Sequence, residues 1–530
     1  MSQEIEINAE FKNALDLMEN TRSHFFITGR AGTGKSTLLQ YFREHTAKKI
    51  AVLAPTGVAA LNVNGETVHS FFGFMPETTL DSVKKLKDGD GRGRLYKELD
   101  AIIIDEVSMV RADLLDCADK FLRLNGKKTG EPFGGIQMIF IGDLYQLPPV
   151  VTNDQRAMFK DYYESPYFFS ANVFKNQQTN LLNDDKFSFQ ILELEKIYRQ
   201  KDEKFINILN CVRNNRADNG HLKELNKRVD KLFKPKLDDF WICLTSTNDQ
   251  ASKINKDRLK LVKGKSRTYQ ANLSGETRDQ TFPTDRELTI KKGAQIMMVN
   301  NSSGGLWVNG SIGQIEGIEP DPDSGIDLVM VRLLDGTVVP VSPYRWDVLR
   351  WTYDFNRKNI QSESVGSFIQ YPFRLAWAIT IHKSQGKTFD QVVIDVGPRT
   401  FASGQMYVAL SRCRSLEGLV LKQEIGQSHI LTDWRVSKFL TGFRYAQSES
   451  QMPIAEKIKI IESAIDCCQK LEITYLKADD TKSKRVIIPN QVGEMEYMGK
   501  NYIGVEAMCL ERNQTRVFRV DRILAMRETN

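Results

Sequence analysis

Cysteine is scarce and scattered in this chain of 530 residues: Cys117, Cys211, Cys243, Cys413, Cys467, Cys468 and Cys509 form no CxxC pair. That spacing argues against both a disulfide framework and a thiolate zinc site. No apolar run approaches the ~20 residues a membrane helix requires. The opening MSQEIEINAEF lacks the basic start and apolar core of a secretory leader, so a cytoplasmic protein without a membrane partner is expected. Neither sign of charge dominates. Lys and Arg number 73 against 67 Asp and Glu, a net charge of +6, which permits a polyanionic partner without requiring one. Internal repeats and long low-complexity tracts are also missing, and the length suits roughly three or four domains.

What is present begins with a rhythm. HFFITG, KIAVLAP, LDAIIIDE and GIQMIFIGD alternate with polar, helix-like stretches between about residues 25 and 150, the pattern of a parallel sheet covered by helices. Each run ends in Gly, Pro or Asp, which puts chemistry at the carboxyl ends of the strands. A second α/β set starts at FWICLTSTN and resumes at FRLAWAITIHKSQG and QVVIDVG. Between them, residues 294–345 carry β-rich segments separated by NG, SG and DG turns and predict a small antiparallel barrel. AQSESQMP (446–453) reads as a polar linker; an amphipathic helix and a mostly antiparallel tail follow.

Gly29–Ser36, GRAGTGKS, follows an apolar strand and opens a helix, the context of a phosphate-binding loop. Backbone N–H groups of Gly29, Ala31, Gly32, Thr33 and Gly34 can approach phosphate oxygens. Lys35 neutralises the β- and γ-phosphates, Ser36 can ligate Mg²⁺, and Thr37 continues the first helical turn. Asp105 and Glu106 close the IIIDE strand: an Asp can hold Mg²⁺ through water, and a Glu can deprotonate the attacking water. Gln146, beyond MIFIGD, suits an amide that senses the γ-phosphate.

Nine strings in order, GRAGTGKST, LAPTGVAALNVNG, TVHSFFGF, IIIDEVSM, GDLYQLPPV, YRQ, LTSTN, AITIHKSQG and YVALSRCRS, resemble the successive motifs of the Pif-one helicases, RecD relatives within superfamily one B. The resemblance covers about residues 20–435. It implies an α/β fold with two RecA-like phosphate-loop domains clasping ATP and Mg²⁺. It further implies 5′→3′ movement on single-stranded DNA and unwinding of duplexes with a 5′ tail, by a monomer, in genome maintenance. The implied layout has a first domain over 1–187 with a small insertion at about 64–97 and a second domain over 188–292 and 363–445. An SH3-like β-barrel insertion occupies 293–362, the linker 446–453 and a tail domain 454–530. Arg199 and Arg412 match the family's two finger arginines entering from the second domain; Gln385 and Gly386 match the motif linking ATP to DNA. By the same resemblance Thr56, His69, Ser70, Phe72, Thr380, His382 and Ser384 would touch the strand, with packing in the small subdomain the favoured use of most phenylalanines in HSFFGF. Trp307 is expected to fill the barrel. Where many relatives carry a glutamine that reads adenine, INAEFKNAL has Phe11, which departs from the pattern.

The tail resembles a WYL domain, with Asn501-Tyr502-Ile503 at the naming tripeptide. That implies a nucleic-acid or nucleotide-like ligand held by Tyr475, Arg485, Tyr502, Arg516, Arg519 and Arg522; a protein ligand fits as well. Two other readings stay open at this point. One is a nucleic-acid-sensing regulator in which the ATPase acts as a switch without unwinding, and the other is a small-molecule kinase sharing the phosphate loop.

Overall fold

The computed structural model describes residues 7–75, 77–87, 91–151, 159, 161–179, 189–200, 202–275, 282–302, 304–321, 325–354, 359–397, 400–477, 482–497 and 499–529. The chain divides into two compact units, 1–432 and 433–530.

The first unit is organised by two parallel sheets. One runs in the order Glu66–Thr67, Ile50–Ala54, Ala101–Ile104, Gln137–Gly142, His24–Gly29, Phe189–Leu194. All its pairings are parallel. The strands His24–Gly29, Ala101–Ile104 and Gln137–Gly142 are buried along their whole length, as unbroken apolar runs demand when helices cover both faces. Phe189–Leu194 pairs with the phosphate-loop strand from His24↔Phe189 to Gly29↔Leu194. The first sheet therefore reaches past residue 187, where the sequence had suggested its end; FQILEL mixes Gln and Glu with its apolar residues and gives little strand signal. The second sheet, Ala378–Thr380, Ile242–Thr245, Val392–Asp395, Leu419–Leu421, is also parallel.

The insertion between Ile242–Thr245 and Ala378–Thr380 is larger than 293–362 and is split. A five-stranded antiparallel sheet joins Val338–Val341, Asp327–Leu333, Ile312–Pro320, Gln295–Met298 and Phe373–Leu375. A separate three-stranded sheet has Asn359–Gln370 in the middle, paired with Tyr344–Asp354 on one side and Asn272–Gly275 on the other. Trp307 packs against the core of the five-stranded sheet and donates its indole N–H to Asn300 Oδ1 at 3.0 Å, so it fills, as expected.

In the second unit the proposed linker is mostly helix. Trp434–Gln451 runs through AQSES without a break, because Ser448 is no solvated linker residue. Its hydroxyl donates to Leu524 O at 2.8 Å and accepts from buried Lys457 Nζ at 2.7 Å. The helix Ile454–Asp466 buries Ile461 and Ala464 on a five-stranded antiparallel sheet, Gln514–Arg519, Lys500–Cys509, Lys482–Tyr497, Lys470–Leu476, Ile523–Thr529. Among the described residues no helix is long and apolar enough to cross a membrane.

Candidate nucleotide and nucleic-acid site

The phosphate loop turns between the strand His24–Gly29 and the helix Lys35–His45. Gly32 and Gly34 have φ of +82° and +85°, the left-handed region that side chains disfavour. Space forbids a side chain too: a Cβ on Gly32 would lie 2.4 Å from Arg199 Cβ. Ala31, Gly32, Thr33, Gly34, Lys35, Ser36 and Thr37 line a cavity of about 1420 Å³ together with Glu106, Gln146, Arg199, Gly386 and Arg412. Residues as far apart in the chain as Ala31 and Arg412 thus share one wall. Gly29 and Gln385 are hydrogen-bonded to lining residues, and Asp105 precedes Glu106 in the chain. Lys35 Nζ donates to Gly29 O at 2.7 Å and Arg30 O at 3.0 Å. Gln385 Nε2 bridges Glu106 Oε2 at 3.0 Å and Gln146 Oε1 at 3.2 Å.

Electrostatics set the site's appetite. Burial pushes both Asp105 and Glu106 above the ordinary carboxyl range, and their mutual charge adds to the rise at Glu106. Burial also lowers Lys35, partly offset by Asp143, Glu106 and Asp105. Arg412 is 1% exposed. Its guanidinium is held below its usual range by burial and then by Arg199, itself lowered by burial. Since guanidinium does not give up its proton, this is stored demand for anionic ligand oxygens. At present Arg412 donates to backbone carbonyls, Val408 at 2.9 Å, Lys387 at 3.1 Å and Ser384 at 3.3 Å. Arg199 donates to Gly386 O and Ser411 O at 3.2 and 3.4 Å. Arg199 does not come from the second sheet. Its neighbour Tyr198 donates its backbone N–H to Gly32 O at 2.8 Å, so this arginine rises from the phosphate-loop side and only its tip reaches across.

One buried ion pair was invisible in the sequence. Asp143 and Arg213 meet at 3.0 Å, with side chains 0% and 6% exposed, and Arg213 lies 4.1 Å over the Tyr145 ring. Tyr407, which donates to Asp143 at 3.3 Å, accepts the Ala31 backbone N–H at 3.0 Å. Only Asp143, ending its strand, gave any signal. A pair buried this deeply fixes geometry, since leaving one member alone costs about 3–5 kcal/mol. Phe11 is buried and lines the cavity, its ring 3.3 Å from where a Gly34 Cβ would stand; it brings a hydrocarbon face where an amide would read a base edge.

The expected strand contacts divide. Thr56 caps the helix Gly57–Asn62. His69 and His382 are half-buried and pushed below the ordinary histidine range by burial, while Ser70 donates to buried Glu66 at 2.6 Å. Phe72 is a correction: it is 3% exposed and locked between Phe71, Phe74, Tyr96 and Phe121, leaving no face for a base. Ser384 is another, fully buried with its hydroxyl donating to Ile381 O at 2.7 Å. Thr380 is buried and accepts from the Lys383 backbone N–H.

In the second unit Tyr475, Tyr502 and Arg519 converge. Arg519 lies 5.2 Å over the Tyr502 ring, pairs with Asp521 at 2.6 Å, and donates its backbone N–H to the Tyr475 hydroxyl. Arg485 lies over Phe518, Arg522 Nε is buried without a hydrogen bond among the described residues, and Arg516 extends outward beside Gln514.

The description "PIF1-like helicase" matches residues 6–222 and "WYL domain" matches 456–528. The crystal structure of Bacteroides sp. Pif1 in complex with ADP-AlF4 is 36% identical, covers 83% of this chain and 98% of that one, and superposes with a TM-score of 0.74. The chain belongs to the Pif1 helicase family. The same Bacteroides Pif1 bound to single-stranded DNA gives 35% identity over 82% of this chain and 96% of that one, with a TM-score of 0.58. Mouse ATP-dependent DNA helicase PIF1 is 36% identical over 403 residues, 74% of this chain; the chain spans 56% of that relative's length. Pif1-family membership accounts for the pair of parallel sheets and for the cavity between them.

Proposed function

We propose that this Pif1-family chain is an ATP-dependent DNA helicase that moves 5′→3′ on single-stranded DNA. The observation that carries this reading is the convergence of Lys35, Arg199 and Arg412 on one cavity with Glu106 and Gln146, contributed by segments that otherwise serve two separate sheets. Lys35 would leave the Gly29 and Arg30 carbonyls for the β- and γ-phosphates, and Arg412 and Arg199 would exchange carbonyls for γ-phosphate oxygens. Glu106 would take the proton of the attacking water, and Gln146, tied to Gln385, would sense whether the γ-phosphate is present. Ser36 and Asp105, a hydroxyl and a carboxylate, are hard oxygen donors of the kind Mg²⁺ prefers. When bound there, that ion would neutralise charge on the phosphates.

Because the arginines bridge the two sheets, ATP draws them together and hydrolysis lets them part, which moves the strand contacts one step. Thr56, His69, Ser70, Thr380 and His382 remain candidates for those contacts, the buried ones only after the elements around them shift. The Tyr475, Tyr502 and Arg519 group suits a stacked, phosphate-bearing ligand, and we assign the tail a nucleic-acid-binding role on that basis. Single-stranded DNA should raise the ATPase rate at least tenfold over the DNA-free rate. A rate indifferent to oligo-dT would favour a nucleotide enzyme unrelated to DNA.

A further inference from the structure

Lys387 connects three parts of the first unit that the nucleotide site does not explain. Its backbone carbonyl accepts the 3.1 Å hydrogen bond from Arg412. Its side chain runs along Gly310, whose Cβ would stand 3.7 Å away, and its ammonium donates to Asn309 Oδ1. Asn309 in turn donates through Nδ2 to Asn62 Oδ1 at 2.7 Å. Asn62 ends the helix that Thr56 begins. A single amide therefore holds the lysine while bracing the insertion against the first sheet.

The neighbourhood is short of negative charge. Arg374 shares it, and Asp285, 3.7 Å from Arg374, is the carboxylate that offsets this arginine among the described residues. Burial, and then the charge of Arg374, push Lys387 down to about 8. An ammonium in such a setting gains when an anion arrives.

We propose that Lys387 is a phosphate-binding residue for the single-stranded DNA backbone, held in reserve by Asn309, and that an arriving strand takes the ammonium from Asn309. The exchange empties Asn309 Oδ1 while its Nδ2 keeps the bond to Asn62, and it is felt at Arg412 through the Lys387 carbonyl. This rests on the DNA-helicase reading. The two fail differently: absence of oligo-dT binding by the unaltered chain sinks that reading, whereas normal binding with indifferent variants sinks only this one.

The test is oligo-dT affinity of the full chain, measured across a salt series by fluorescence anisotropy, with thermal melting to confirm folding. Lys387→Met should weaken binding at least fivefold and flatten the log K against log[salt] slope by about 0.7, the share of one phosphate contact on a single strand. Asn309→Ala should do the opposite, tightening binding two- to fivefold because the lysine is released. In the double variant the gain should vanish, leaving the Lys387→Met affinity. An Asn309→Ala protein that folds yet binds more weakly would show that the contact only supports the insertion, and would overturn the proposal. A Lys387→Met protein with an unchanged slope would overturn it equally. Should Lys387→Met fail to fold, the sign of the Asn309→Ala change decides alone.

Discussion

A Glu106→Gln protein hydrolyses ATP about 10²–10⁴-fold more slowly than the natural chain, the usual worth of a positioned general base. Nucleotide affinity changes little, because Lys35 and the loop amides keep their places. The substitution is nearly isosteric, and the Gln385 amide that now donates to Glu106 at 3.0 Å can meet the new amide oxygen. Glu106 itself sits at φ 50°, ψ 41°, a left-handed conformation rare outside glycine and asparagine. Such backbone strain, kept at the cavity wall, aims the carboxylate inward. Steady-state release of phosphate, with nucleotide affinity measured alongside, checks both halves of the expectation. A variant that keeps the wild-type rate would remove Glu106 from the chemistry.

Arg412→Ala should cost about 10³–10⁵ in kcat with a smaller change in KM, as for other finger arginines that act mainly on the transition state. Arg412→Lys should recover little, because an ammonium cannot reproduce the fork that now spans Val408, Lys387 and Ser384 carbonyls. The lysine variant also guards against a trivial loss of fold, since it keeps charge and most of the volume at this buried position. Equal activity in Arg412→Lys and the natural chain would mean that only charge matters there, contrary to the geometry.

Local chemistry was legible because it is written in consecutive letters. GRAGTGKS after an apolar run, and Asp105-Glu106 at a strand end, each state their context within a dozen residues. Arg412 was legible only through the ordered family motifs, as nothing in VALSRCR distinguishes it from a surface arginine. Pairings across long separations were not legible. Asp143 and Arg213 stand 70 residues apart and Asn62 and Asn309 stand 247 apart, and of the four only Asp143, just past its strand, carries a local signal. Errors arose where one residue type serves two environments. Phe72 suits a base or a core with the same ring, and Ser384 suits a phosphate or a backbone carbonyl with the same hydroxyl. Ser448 read as linker because serine usually seeks water, yet here it satisfies two carbonyls and a buried lysine. The sheet to which Phe189–Leu194 belongs is illegible for a related reason: strand membership is decided by its partner, and the partner lies 165 residues upstream.

Movement along a strand, rather than hydrolysis alone, is what distinguishes the proposed helicase. It is tested most directly by displacement of a labelled strand from duplexes carrying a single-stranded tail at either the 5′ or the 3′ end, with ATP and Mg²⁺ and the full chain. Displacement is expected from the 5′-tailed duplex, none from the 3′-tailed one, and none from either with Glu106→Gln. Displacement confined to the 3′-tailed duplex, or DNA-stimulated hydrolysis with no displacement from either, would contradict that expectation.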